Sequence, residues 1–333
     1  MIPPISRQRA FFSLHYVCSP VARTLTIWRV IDCTLVTCEK VADLDPDDRL
    51  LMHELQARGL TVSIESWSDP RAQWGASRLC IVRSTWDYHE RYDEFIAWVE
   101  HAASLTVLKN DPRVLRWNAH KSYLKELEWL GVPIVPTAWV SRGEPCDLAE
   151  LAETRGWHDV VLKPARGAAA HQVTLVRRGA ASFAAGQAQF GQLAQKQDVL
   201  VQPYLRSVVD WGERALIFFR GHYSHAVRKK PFDTVLVVGT RSSLVEPKPE
   251  ELDIAARALA GVPGRPLYAR VDLLRDDEDR VCVNEVELIE PGLYLGVHEP
   301  ARRHFADAVE RELQFATKTK SRRSHPCVIS GLQ

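Results

Sequence analysis

Four charged residues are spaced so that they could share one face of a β-hairpin. Arg270 and Asp272 lie two apart in the segment YARVD, and Glu285 and Glu287 lie two apart in NEVE. Residues two apart on a strand point to the same side. A turn midway between the segments would set Arg270 opposite Glu285 and Asp272 opposite position 283. Three carboxylates this close repel one another unless a cation neutralises them, and Mg²⁺ accepts such oxygen ligands. The hairpin predicts a magnesium site; a solvated face of ordinary surface acids is the alternative.

Two lysines upstream could hold the phosphates of a nucleotide. Lys163 ends an apolar run and precedes a glycine- and alanine-rich loop at 166–171. Small residues let a phosphate approach the backbone, and a lysine supplies a point charge. Lys121, on a predicted helix, is a second candidate. Neither belongs to a Walker loop, because GxxxxGK[ST] is absent, as is GxGxxG. Each lysine alone also fits an ordinary solvated side chain.

Polar residues on two further segments could contact a substrate. These candidates are Arg83, Ser84, Thr85, Asp87, His225 and Arg228. The first four follow a predicted strand, and ligands of α/β sheets lie at the carboxyl ends of strands. The last two lie on a polar strand that could form the opposite wall. A helix cap and an exposed strand face are the alternative interpretations.

Hydrophobic periodicity predicts the elements that position these residues. The first region alternates strands at 34–37, 62–65, 79–82 and 105–108 with helices at 45–58 and 90–103. This alternation indicates a βαβ-type domain. The second region has predicted helices at 118–130 and 181–196 and strands at 160–164, 172–176 and 199–202. The third has hairpins at 214–220/222–229 and 267–274/281–289 and helices at 249–260 and 299–316. Prolines in 132–140 exclude a central strand there.

Length and composition indicate a multidomain protein that does not bind nucleic acids or membranes through its net charge. The 333 residues exceed the roughly 250–300 at which single cores stop growing. A net charge of +1 argues against nucleic-acid or membrane attraction, and no apolar run approaches the ~20 residues of a membrane helix. The seven cysteines lack metal spacing, which favours reduced thiols and a cytoplasmic location.

Both ends of the chain differ in character from the middle. Residues 1–29 are expected to be an unstructured extension or the product of a start codon assigned too far upstream, with Val30 as the true start. A secretion signal is the weaker alternative, because His15 interrupts the apolar stretch. Residues 319–333 form a basic polar segment, which we expect to be a flexible tail.

Taken in order, these motifs resemble the ATP-grasp superfamily, over roughly residues 31–315. The resemblance rests on Lys121, Lys163 with its small-residue loop, QPYL at 202–205, Gly212 with Glu213, Asp272, and EVE at 285–287. It implies an α/β fold in which two α+β lobes clamp ATP. We expect a pre-ATP-grasp βαβ domain at 30–110, a central lobe at 111–203 and a carboxyl-terminal lobe at 204–318.

The resemblance also implies roles for individual residues. Those expected to bind ATP are Lys121, Lys163, Gly167, Gln202, Tyr204, Leu205 and Glu213. Asp272, Glu285 and Glu287 would hold two Mg²⁺ ions, and the loop 166–171 would be a lid over the phosphates. Many members have Glu-x-Asn where this chain has EVE, which we interpret as a mark of a subfamily. Lys163 would act on the transferring phosphoryl group, and Arg270, predicted to face the metal site, would stabilise a developing oxyanion.

A narrower resemblance covers VTCEK, VRSTWDYH, GERALIFFRGHYSHAVRKKP and NEVELIEPGLYL. These segments look like a branch of stand-alone ligases that includes the D-cycloserine-forming enzyme, although a substrate-contacting arginine expected near Phe232 is missing. The expected function is a carboxylate–amine ligase acting through an acyl-phosphate on a small amino-acid-like substrate, with ring closure of O-ureido-D-serine as one form. Intermolecular amino-acid or dipeptide ligation, a small-molecule kinase, a non-catalytic ATP-binding regulator and a structural protein are the alternatives. A homo-oligomer is compatible with the sequence.

Overall fold

Three β-sheets with helices packed against them make up the fold. The computed structural model describes residues 31–168, 172–229 and 242–323. The predictions for the amino-terminal extension, for the tip of the loop 166–171, for the segment after Phe232 and for residues 324–333 lie outside these ranges. None of the helices in the described ranges is long and apolar enough to cross a membrane.

The amino-terminal sheet is parallel and four-stranded, which confirms the predicted βαβ organisation. Its strands are β1 (Ile31–Thr37), β2 (Val62–Ser66), β3 (Ser77–Ser84) and β4 (Val107–Lys109), in the order β2-β1-β3-β4. The connecting helices are α1 (Pro46–Ala57) and α2 (Tyr92–Leu105), with 3₁₀ turns at Glu39–Val41 and Trp74–Ala76. Helix α1 starts where expected, because Asp45 caps the backbone N–H of Asp47 at 2.9 Å.

The second sheet is antiparallel, with the order β5-β8-β6-β7. Its strands are β5 (Ala138–Val140), β6 (Val160–Pro164), β7 (Thr174–Val176) and β8 (Val199–Pro203). The helices of this region are α3 (Pro112–Asn118), α4 (Tyr123–Trp129), α5 (Leu148–Thr154) and α6 (Ala180–Ala194). Strand β5 lies at the sheet edge, which agrees with the proline-rich stretch that precedes it.

The prediction of a single helix at 118–130 was wrong, because α3 ends at Asn118 and α4 begins only at Tyr123. The backbone N–H of Lys121 donates to the carbonyl of Ala165 at 2.8 Å, outside any helix. The Asn118 side chain also donates to the carbonyl of Val286 at 2.7 Å. These tertiary contacts outweigh helix propensity and bring Lys121 to the end of β6.

The third sheet is five-stranded, with the order β11-β10-β9-β12-β13. Its strands are β9 (Glu213–Phe219), β10 (His222–Lys229), β11 (Ser243–Val245), β12 (Tyr268–Arg275) and β13 (Val281–Glu287). The helices are α7 (Ser207–Asp210), α8 (Pro249–Ala260) and α9 (Glu299–Arg323). Helix α9 therefore continues beyond its predicted end at 316. Between β9 and β10, Arg220 and Gly221 have φ of 52° and 81°, as a two-residue hairpin turn requires.

The register predicted for the carboxylate hairpin was wrong by two residues. Asp272 pairs with Glu285, and Arg270 pairs with Glu287. One residue of the difference comes from the turn, since Arg275 pairs with Val281. The other comes from a register shift between Asp272 and Leu273. Because the two shifts add to an even number, all four charged side chains keep the shared face that the period of two predicts.

Helix α9 ties the amino-terminal sheet to the third sheet. Phe305 on α9 is fully buried, and its ring stacks on Phe219 with centroids 4.7 Å apart. The same hydrophobic cluster includes Leu35 of β1 and Ile217 of β9. The first domain is therefore packed against the sheet that carries the carboxylate hairpin.

Candidate active site

A cavity of about 350 Å³ is lined by all three parts of the fold. The amino-terminal domain contributes Trp86 and Tyr88, and the second sheet contributes Lys163 and Gln202. In the described part of the chain, the acids at or directly behind its wall are Glu213, Asp272, Glu285, Glu287 and Glu290, and the cations are Lys121, Lys163, Lys229 and Arg270. Acids and cations therefore meet within one cavity, which offers carboxylate oxygens for a metal ion and cationic groups for an anion.

Three of these acids form a cluster that could hold a metal ion. Oxygens of Asp272, Glu285 and Glu287 all lie within 4.8 Å of one another. Asp272 on β12 is fully buried, and the two glutamates on β13 line the cavity. Closely set carboxylate oxygens are the donors that Mg²⁺ prefers, so the residues present fit this ion.

Arg270 holds the metal-side carboxylates together. Its Nε lies 2.9 Å from Asp272 Oδ1 and its Nη2 lies 3.0 Å from Oδ2, and Nη2 also bonds Glu287. Burial alone would raise the pKa of Asp272, but Arg270 and Lys229 outweigh it, and the pKa is lowered. Asp272 therefore stays charged. The structure thus brings Arg270 to the metal cluster, as predicted. Its cross-strand neighbour is Glu287, however, and not Glu285.

Two predicted lysines meet the same strand. Lys121 Nζ lies 2.5 Å from Glu285 Oε1 and donates to the carbonyl of Gly167 at 3.2 Å. Lys163 Nζ donates to Asn284 Oδ1 at 2.7 Å. Burial lowers the pKa of Lys163 despite the nearby Glu285 carboxylate. The two positive charges therefore border the cavity from the second lobe, next to the loop that contains Gly167.

Lys229 is the main residue whose role sequence reasoning missed. Its Nζ lies 2.6 Å from Asp272 and 3.1 Å from Glu213, and Asn284 donates to the other oxygen of Glu213 at 2.9 Å. These carboxylates raise the pKa of Lys229 even though burial opposes them. From the sequence, Lys229 was predicted only to lie on a polar strand. Neighbouring residues of a strand point to opposite faces, so the alternation with Arg228 could have indicated that Lys229 faces the site.

The cavity also has an apolar part. Gln202 is buried, and its side-chain amide donates to the Thr137 hydroxyl at 2.9 Å. Tyr204 and Leu205 line the same region, together with Val135, Val161, Val208 and Leu274. The backbone N–H of Tyr204 donates to the carbonyl of Asp159 at 2.8 Å, so this group is already used within the protein. An apolar slot next to lysines suits a nucleotide base with its phosphates.

The six predicted substrate residues do not line the cavity. Arg83 Nε and the Ser84 hydroxyl both bond the buried Asp48, at 2.8 and 2.7 Å. Thr85 is buried, and its hydroxyl finds no partner in the described ranges. Asp87 accepts from the Trp67 indole N–H at 2.8 Å.

The two candidates on β10 also serve the scaffold. His225 is buried, and its ring stacks on His298 with centroids 5.0 Å apart. Burial lowers the pKa of His225 to about 4, so the ring is neutral. Arg228 donates to the carbonyl of Asp210 at 2.5 Å.

Residues 290–293, here called the acidic loop, are held by side chains from several elements. The carbonyl of Glu290 accepts from Trp86 at 3.3 Å, and that of Pro291 accepts from Arg83 at 2.7 Å. The two following carbonyls accept from Arg270 and His225, each at 3.1 Å. Arg83 and His225 therefore act on the cavity through this loop.

The acidic loop brings one further carboxylate to the cavity. Glu290 lines the wall, and burial, followed by the Glu287 charge, raises its pKa to about 8. The pKa of Glu287 is raised to about 7, again first by burial. Glu290 follows the same strand as Glu285 and Glu287, but it lies past the end of β13, where the period of two no longer applies.

Comparisons with known proteins agree with this arrangement. Residues 33–110 match the family described as D-cycloserine synthetase DcsG, N-terminal domain. The cycloserine biosynthesis protein DcsG of Streptomyces lavendulae is 32% identical over 294 residues, covering 84% of this chain and 98% of that protein. The crystal structure of D-cycloserine synthetase DcsG aligns with a TM-score of 0.76 and 29% identity, over 84% of this chain and 99% of that one.

More distant structures share the fold alone. D-alanine–D-alanine ligase from Bacillus anthracis, complexed with ATP, aligns with a TM-score of 0.63 at 13% identity, over 88% of this chain and 100% of that one. The ATP-grasp ligase PsnB, complexed with minimal precursor, Mg and ADP, aligns with a TM-score of 0.56 at 15% identity, over 84% and 98% of the two chains.

Proposed function

Because the chain belongs to the ATP-grasp ligases related to DcsG, we propose that it activates the carboxylate of a small amino-acid-like substrate with ATP and joins it to a nitrogen. The observation that carries this proposal is the cluster of Asp272, Glu285 and Glu287, with Arg270 bound to two of the three. Lysines and an apolar slot continue the same cavity. One continuous site could thus bind the metal ion, the phosphates, the acyl group and the nucleotide base.

ATP is proposed to bind with its base in the apolar slot near Gln202, Tyr204 and Leu205. Its phosphates would meet Lys121, Lys163 and the backbone near Gly167. Asp272, Glu285 and Glu287 would hold Mg²⁺, with two ions as the proposed number. Bound there, Mg²⁺ supplies charge neutralisation and alignment of the phosphates.

In the first step, a substrate carboxylate oxygen would attack the γ-phosphorus of ATP, and ADP would leave with the bond electrons. Lys163 offsets the charge of the transferring group, since positioned cations stabilise such transition states. The product of this step is an acyl-phosphate.

In the second step, a neutral nitrogen would attack the acyl carbon. The tetrahedral oxyanion that forms would lie at Arg270, whose guanidinium reaches both the metal cluster and the acidic loop. Collapse of the oxyanion would release phosphate, and the nitrogen would lose one proton to solvent. The result is a C–N bond, formed together with ADP and phosphate.

The relationship to DcsG favours ring closure of O-ureido-D-serine, in which the nitrogen belongs to the same molecule as the carboxylate. Intermolecular ligation of two amino-acid-like molecules is the second candidate. About two thirds of the aligned positions differ between this chain and DcsG, which supports keeping both candidates.

Release of ADP and phosphate from MgATP tests the proposal. Amino acids, hydroxy acids and O-ureido-D-serine would be supplied singly and in pairs, with the Asp272→Asn variant as the blank. Release with one compound alone indicates ring closure, and release only with pairs indicates intermolecular ligation. A stable phosphorylated product without a nitrogen acceptor would contradict C–N ligation. Release from no compound by an enzyme that binds MgATP would contradict the proposed substrate class.

A further inference from the structure

Glu290 is an acid at the cavity without a cationic partner in the described part of the chain. Asp272 pairs with Arg270 and Lys229, Glu285 pairs with Lys121, and Glu287 pairs with Arg270. Glu213 pairs with Lys229. No such ion pair or hydrogen bond to the Glu290 carboxylate is formed by residues 31–168, 172–229 or 242–323. Without a ligand, burial favours the protonated form of Glu290 and raises its pKa to about 8, and a cationic ligand group placed there would stabilise the ionised form.

Two aromatic side chains lie on the same wall. Trp86 lines the cavity, and its indole N–H bonds the Glu290 carbonyl. Tyr88 also lines the cavity and is 4% exposed. Glu290 lines the same cavity, and its charge, after burial, adds to the raised pKa of Tyr88. Aromatic faces and a carboxylate together form a suitable site for an ammonium group.

The main chain that carries Glu290 is held firmly in place. Its four carbonyls each accept a side-chain donor, from Trp86, Arg83, Arg270 and His225. Beyond the loop, Asp47 accepts from the backbone N–H groups of residues 295 and 296 at 2.8 and 2.7 Å. With the backbone fixed on both sides, the Cα of Glu290 keeps its place at the wall, and only the side chain is free to adjust to a ligand.

We propose that Glu290, next to Trp86 and Tyr88, binds an ammonium group that the substrate keeps throughout the reaction. This inference rests on the proposed ligase function and assigns Glu290 to the free, protonated amine of an amino-acid substrate. In such a molecule the carboxylate and the ammonium are carried by one carbon. The carboxylate can therefore turn to Arg270 while the ammonium meets Glu290, since both residues line the same cavity. The attacking nitrogen is a different, neutral group.

The Glu290→Gln variant tests the inference with matched compounds. The probes are O-ureido-D-serine and 3-(ureidooxy)propanoate, in which hydrogen replaces the ammonium, followed by other amino acids paired with their des-amino analogues. Loss of one charge-assisted contact should raise KM for the amino compound about 10- to 100-fold. The kcat and the KM for ATP should change little. The wild-type preference for the amino compound should collapse, and Glu290→Asp should restore part of it.

The matched control is Glu278→Gln, the same substitution on the exposed turn between β12 and β13, where the side chain is 67% exposed. It should leave every parameter unchanged. Unchanged discrimination by Glu290→Gln would overturn the inference. Equal loss with both compounds would do the same, because it would show a structural effect only.

A second measurement separates this inference from the proposed function. Calorimetry would titrate each amino compound into wild-type and Glu290→Gln enzyme loaded with MgADP. If the wild-type enzyme turns over no compound but binds the amino compounds in a Glu290-dependent way, the ligase proposal fails and the ammonium site stands. If turnover occurs and binding is the same in both proteins, the ligase proposal stands and the ammonium site is refuted.

Discussion

Replacing Asp272 by asparagine removes the most enclosed charge of the metal cluster while keeping the side-chain shape. The Asp272 side chain is 1% exposed and accepts from Arg270 at 2.9 and 3.0 Å and from Lys229 at 2.6 Å. In Asp272→Asn, one oxygen becomes an NH₂ group that must face a donor. The two cations also lose their shared counter-charge, although Glu213 and Glu287 still pair with them.

The magnitudes follow from these contacts. Breaking a buried ion pair costs about 3–5 kcal/mol, and the remaining carboxylates favour the lower end. A loss near 3 kcal/mol should lower the Tm by roughly 4–5 °C in a protein of this size, because the entropy of unfolding scales with chain length. Loss of a metal ligand should reduce turnover by at least about 10²–10³-fold, the effect of removing a single preorganised electrostatic contact.

The assay combines phosphate release at saturating Mg²⁺ with calorimetric titration of MgATP, both carried out below the Tm of the variant. The control is Asp277→Asn, the same substitution at an exposed position of the same hairpin. The control should match the wild-type enzyme in both measurements. If folded Asp272→Asn enzyme kept half of the turnover and the same affinity for MgATP, the assignment of the metal cluster would be refuted.

Three other perturbations are expected to have distinct outcomes. Arg270→Lys keeps a charge but loses the fork, so kcat should fall about 10²–10³-fold with little change in the KM for ATP; near-normal turnover would exclude the oxyanion role. Because the pKa of Glu287 is raised to about 7, protons should compete with Mg²⁺ below that pH, and affinity should fall about tenfold per pH unit in calorimetry; the same affinity at pH 6 and pH 8 would contradict this. Arg83→Met leaves Asp48 buried and unpaired, so the free energy of unfolding in denaturant titrations should fall by about 3 kcal/mol, with recovery when Asp48→Leu is added. An unchanged stability with a raised substrate KM would return Arg83 to a substrate role.

The shared face of the carboxylate hairpin was predictable, whereas its pairing was not. Side chains two apart on a strand share a face whatever the partner strand does, so Asp272 could be grouped with Glu285 and Glu287. Register depends on the turn and on the irregularity after Asp272, and these local backbone features leave no trace in the hydrophobic pattern. The fold class and the ligase family were predicted correctly because the motifs that indicate them extend over most of the chain.

The substrate wall was harder to predict because depth is not visible in a linear sequence. Arg83 and His225 are polar residues near strand ends, a place where ligands often bind, and they instead hold the acidic loop from inside the protein. Lys229 and Glu290 lie at the cavity because elements that are far apart in the sequence pack together there. Helix α4 shows the same limit, since the contacts of Lys121 and Asn118 that end the preceding helix are all tertiary.

The bonding of the acidic loop has a consequence for how this enzyme could change its preferences. The carbonyls of residues 290–293 are engaged by the protein itself rather than offered to a ligand. Discrimination along this wall is therefore carried by side chains, while the main chain serves as a fixed frame. If Glu290 binds an ammonium group as proposed, a single substitution at position 290 would exchange that cationic ligand for a neutral or anionic one without rebuilding the surroundings. Selectivity in this ligase can thus diverge one residue at a time, with the machinery for ATP left intact.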